Sequence, residues 1–143
     1  ERLHPESDLV RLARHHVVNG AAAQWRAFRR AWADDDFAQG RDLLEALMRD
    51  HPESDIVQSG QAAFRHFACV GRLGDEARAI ELADDFVALY PAHASGDYVL
   101  YFKAVYLTRR GEVEAARTVV AHVLATYPDT NLRSPLTALL EPR

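Results

Sequence analysis

His66 and Cys69 stand three residues apart, a spacing that puts two side chains on one face of a helix. Both residue types ligate zinc, but a zinc centre needs about four ligands. No His-x-x-x-His or Glu-x-x-His pair completes such a site, so His66 and Cys69 read as packing residues. His15 and His16 are adjacent and point to different sides of a helix. His4, His51 and His93 fall at joints between segments, as solvated or capping groups. Asp34, Asp35 and Asp36 form an acidic run, yet a calcium loop spreads its ligands over about twelve residues around a sharp-turn Gly. No phosphate-binding Gly loop, nucleophile elbow or Ser-His-Asp order is present. The expectation is therefore no catalytic residue, no metal, no cofactor and no enzyme activity.

Composition narrows the classes further. The chain has 143 residues, of which 48% are hydrophobic and 27% charged, enough for one domain with a core. No apolar run is long enough to insert directly in a bilayer. The net charge of −4 gives no general attraction to nucleic acid or anionic membrane. Cys69 is alone, so no internal disulfide forms. Nothing at the start resembles a signal peptide.

The elements that organise these residues are repeats. Residues 3–10 read LHPESDLV and residues 50–57 read DHPESDIV. Pro52, Pro91 and Pro128 follow one another at spacings of 39 (91 − 52) and 37 (128 − 91). Seventeen residues before each lies Asp35, Gly74 or Gly111. The three segments between, DDFAQGRDLLEALMRDHP, GDEARAIELADDFVALYP and GEVEAARTVVAHVLATYP, align without a gap. Each carries apolar residues at helical spacing. The faces are Phe37, Leu44, Leu47 and Met48; then Ala79, Ala83, Phe86 and Val87; then Val113, Ala116, Val120, Val123 and Leu124. Proline ends each helix because it lacks an amide proton and clashes with the preceding turn.

A second helical segment precedes each turn. SDIVQSGQAAFRHFACVGRL predicts one helix from an N-cap at Ser54 toward Gly71, and SGDYVLYFKAVYLTRR predicts another from Ser95 to Arg110. Hairpin turns are expected near Asp34–Asp36, Arg72–Asp75 and Arg109–Glu112. HPESD is then an inter-repeat joint: Pro closes one hairpin, and Ser or Asp caps the next helix.

This unit resembles the tetratricopeptide repeat, a helical hairpin of about 34 residues. The resemblance covers residues 20 to about 130. A small residue early in the second helix is Gly40, Ala79 and Ala116; the small residue before the turn is Ala104, with Phe28 and Phe67 in its place elsewhere. The terminal YP and a long first helix look most like bacterial envelope proteins, the outer-membrane assembly lipoproteins and Tol-associated coordinators. The resemblance implies an all-α fold: a right-handed α-solenoid of antiparallel hairpins, with three repeats and a short C-terminal capping helix. One domain over residues 1–143 is expected, with units at about 8–52, 53–91 and 92–128 and a cap at 134–141. The cap would start at Ser134 with Pro135 in the first helical position. The first unit is longer than the others. Its apolar phase favours one helix over residues 8–33, whereas Asn19-Gly20 is a turn signal that favours two. Pro5 occupies the place that ends a second helix, which reads as a piece of a longer array with a repeat edge open to self-association.

In such arrays first helices line the concave face. The resemblance thus places Trp25, Arg29 and Trp32, then Phe64, Arg65 and Ala68, then Tyr98, Tyr101, Phe102 and Val105 at a partner-binding surface. Aromatic and Arg residues dominate binding hot spots. The carboxylate clamp of chaperone-binding relatives is absent, because its positions hold Trp25 and Arg29, Phe64 and Ala68, and Tyr101 and Val105. The expected function is a protein-interaction scaffold or adaptor that binds a peptide or helix, in the bacterial periplasm and cell envelope or in the cytoplasm. Alternatives are a regulatory or accessory domain of a larger enzyme or secretion assembly, and a helical-repeat RNA-binding module. The charge balance and the lack of a basic stripe on first helices argue against nucleic acid.

Overall fold

Asp35, Gly74 and Gly111, which the sequence sets in register, share one backbone conformation, with φ of 56°, 85° and 78°. This is the left-handed region that ends helices. The structure, a computed structural model, describes residues 20–141. Around the three residues it repeats one hydrogen-bond scheme. Asp35, Gly74 and Gly111 donate to the carbonyls of Trp32, Gly71 and Thr108, at 3.0–3.1 Å. The next residues, Asp36, Asp75 and Glu112, donate five residues back, to Ala31, Val70 and Leu107, at 2.9–3.3 Å. This is the Schellman closure. The residue that completes it also starts the next helix. Asp36 accepts a bond from the Gln39 amide and Asp75 from the Arg78 amide, whereas the longer Glu112 makes no such cap.

The turns separate α1 (residues 20–33) from α2 (Phe37–Asp50), α4 (Gln61–Arg72) from α5 (Glu76–Leu89), and α6 (Gly96–Arg109) from α7 (Val113–Thr126). A four-residue α3 (Asp55–Gln58) precedes α4, and α8 (Arg133–Ala138) closes the series. Among the described residues there is no strand. The fold is a TPR-like helical repeat.

The prolines act as expected at the joints. His51, Tyr90 and Tyr127 leave the helical region, as residues before proline do. Their carbonyls then accept from the amides of Ser54, His93 and Thr130, which makes each Pro the second residue of a turn.

Three expectations are corrected. The segment from Ser54 toward Gly71 is two helices, broken at Gly60, whose φ is 89°. The second unit has two residues more than the third between Pro and turn, and the break absorbs them. Ser54 precedes α3 without a side-chain cap; its hydroxyl donates back to the His51 carbonyl. The last helix begins at Arg133, so Pro135 is its third residue, still among the amide positions that have no intrahelical acceptor. The alternative readings of residues 8–33 turn on positions before residue 20 and lie outside the described residues.

The chain divides into two compact units between Cys69 and Val70. In the first, Phe28, Leu44, Leu47, Val57, Ala62 and Cys69 form the core, flanked by half-buried Trp25, Trp32, Phe37 and Met48. In the second, Leu100, Ala104, Leu107, Ala116, Val120 and Val123 form it, and α8 adds fully buried Leu136. Val87 and Leu124 are only half-buried there. Val113 is 45% exposed, contrary to its place on the expected apolar face. It is the first residue of α7, ahead of the turns that pack.

Candidate functional site

The first unit gathers four of its six expected surface residues around one cleft. Trp25, Arg29 and Trp32 succeed one another on α1, and Arg65 reaches them from α4. Phe28 completes the lining of a cavity of about 260 Å³. The rings form a continuous row. Trp25 and Phe28 lie 5.0 Å apart, Phe28 and Trp32 5.9 Å, and Trp32 meets Phe37 edge-on at 5.3 Å. The Arg65 guanidinium stands 5.1 Å from the Trp32 ring centre and 5.6 Å from that of Phe64, which is cation–π range. Phe64 and Ala68 are half-buried on α4 and do not line the cleft. Phe28 fixes the row from beneath, since it is a core residue at 2% exposure.

The second unit carries its own aromatic row on α6. Tyr98 and Phe102 lie 4.8 Å apart, and Tyr101 and Phe102 5.2 Å, both edge-on. Tyr98 is 39% exposed; Tyr101, Phe102 and Val105 are half-buried. The row continues inward to Tyr106, which is buried beneath the Arg109 guanidinium. None of the ten expected surface residues is a core residue.

His4, His15 and His16 lie outside the described residues. His66 is buried, with Nε2 3.2 Å from Glu45 of α2. Cys69 is fully buried against Gly40 and Phe28. His93 accepts a bond from the Ser95 amide and packs edge-on against Phe86. His51 is half-buried, with its ring against Gly20. Among the described residues no group of three or more His, Cys, Asp or Glu could hold a metal ion. No described helix is long and apolar enough to cross a membrane.

Sequence reasoning missed Arg26 and Arg30. With Arg29 and Ala33 they line an open concavity of about 400 Å³ on α1. The signal was in the string RAFRR, whose arginines fall at i, i+3 and i+4. The first helices therefore do carry one local basic stripe.

A family model described as an outer membrane lipoprotein, YfiO, matches residues 20–141, nearly the whole chain. The chain belongs to the YfiO family. The match covers all three hairpin turns and α8. A TPR-like family of outer membrane lipoproteins favours protein partners and a place in the cell envelope. No curated protein matches the chain.

Proposed function

We propose that this YfiO-family chain is a non-catalytic scaffold of the bacterial cell envelope that holds a segment of a partner protein on its first-helix aromatics. The observation that carries this reading is the state of the two aromatic rows. Trp25, Trp32 and Tyr101 each pack against a core while staying only half-buried, and Tyr98, packed on Phe102, is 39% exposed. Large aromatics left open to solvent are costly unless a partner covers them, and they are the side chains that dominate interface energies. Arg29 beside Trp25, and Arg65 over Trp32, add directional donors for carboxylates. The test is capture of partners from the native host by wild type and by a Trp25→Ala/Tyr101→Ala variant, with thermal melts to show that both fold. Loss of the captured protein from the folded variant supports the reading; undiminished capture refutes it.

A further inference from the structure

Two groups of arginines among the described residues contrast in their surroundings. Arg41, Arg49, Arg78, Arg109, Arg110 and Arg117 each have a carboxylate oxygen at 2.9–3.7 Å. Arg26, Arg29, Arg30 and Arg65 have none among the described residues, and all four belong to the first unit. The chain is net acidic, so carboxylates are plentiful, yet these four guanidiniums gather with no carboxylate partner among the described residues. Arg29 lines both the arginine concavity and the aromatic cleft, which makes them one continuous surface.

From this juxtaposition we infer that the α1 face docks an acidic segment of a partner protein through one aromatic anchor flanked by carboxylates. The anchor enters the cleft between Trp25, Trp32 and Arg65, whose volume suits a single large side chain. The flanking carboxylates lie over Arg26, Arg29 and Arg30, where guanidinium forks pair with them bidentately. The cleft argues for a peptide over an anionic lipid surface, which needs charge but no slot. Arg26, Arg29 and Arg30, which have no carboxylate partner among the described residues, supply the charge complementarity to an acidic segment. This inference rests on the scaffold reading above and names the chemistry of the partner.

The test uses the full chain and a fluorescein-labelled peptide carrying one phenylalanine flanked by glutamates. Controls are the same peptide with lysines for glutamates, the same peptide with alanine for phenylalanine, phosphatidylglycerol vesicles and a single-stranded RNA oligomer. The acidic aromatic peptide binds, and each peptide control binds about tenfold more weakly or not at all. Arg26→Glu/Arg30→Glu, at exposed sites, weakens the acidic peptide about tenfold and gains affinity for the lysine peptide. Equal binding of acidic and basic peptides, or wild-type affinity in the charge-reversed variant, overturns the inference. So does binding confined to the vesicles or to the RNA. Failure of the peptide panel with Trp25-dependent capture intact removes only the acidic partner; loss of both removes the scaffold reading.

Discussion

The Tyr106 hydroxyl of α6 sits where Gly71 of α4 would carry a Cβ. Any larger residue at 71 collides with the phenol, so Gly71→Ala should destabilise the second unit by about 1–3 kcal/mol, the range for overpacking. Tyr106→Phe removes the colliding oxygen. The double variant should recover part of the loss, and a double-mutant cycle from urea unfolding measures the coupling. A cycle with no coupling would refute the contact.

The hairpin turns give a second expectation. A Cβ at Gly74 or Gly111 would meet nothing within 4 Å, so only backbone strain opposes it. Gly74→Ala and Gly111→Ala should each cost about 1–2 kcal/mol. Asp35, which holds φ of 56° with a side chain, should gain stability on Asp35→Gly. Thermal melts of the three variants would show these opposite signs.

In the first unit, Leu44 is fully buried among Phe28, Leu47 and Ala62. Leu44→Ala should cost about 2–5 kcal/mol through lost burial and the cavity left behind. Chemical denaturation would check it, and a loss near zero would mean that the first core collapses around the gap.

Alkaline pH should weaken the fold. Burial raises the Tyr106 and Tyr127 phenols above their ordinary value of 10.0, and nearby Asp97 adds to the effect at Tyr127. Folded tyrosines then keep protons that unfolded ones release. Stability is full below about pH 10 and falls as the pH rises toward the folded-state values. Tyr106→Phe/Tyr127→Phe should flatten that fall, as followed by unfolding free energy against pH and by phenolate absorbance.

The repeat architecture was legible because turns are chemistry of single residues. A glycine, or an Asp that tolerates a left-handed backbone, closes a helix as residues 35, 74 and 111 do, and proline stops one anywhere past its first turn. The break at Gly60 was not legible, because Ile56 and Val57 keep the helical apolar period across it. The exposure of Val113 depends on its being first in α7, which period counting ignores. The aromatic rows were read from repeat register. The arginine cluster was overlooked because net charge averages over the chain, while binding depends on which charges lack partners. The fit of Gly71 to Tyr106, or of Gly96 to the Tyr127 hydroxyl, is tertiary and leaves no mark on local spacing.

Cys69 is the chain's only thiol, and it lies fully buried against Gly40 and Phe28. A thiol reagent can reach it only when the first unit opens. Labelling of the unmodified protein is therefore a clock for the breathing of that unit. At low reagent its rate gives the population of the open form, and at saturating reagent the rate of opening. A partner bound on α1 would slow that clock in proportion to how tightly it holds the closed form.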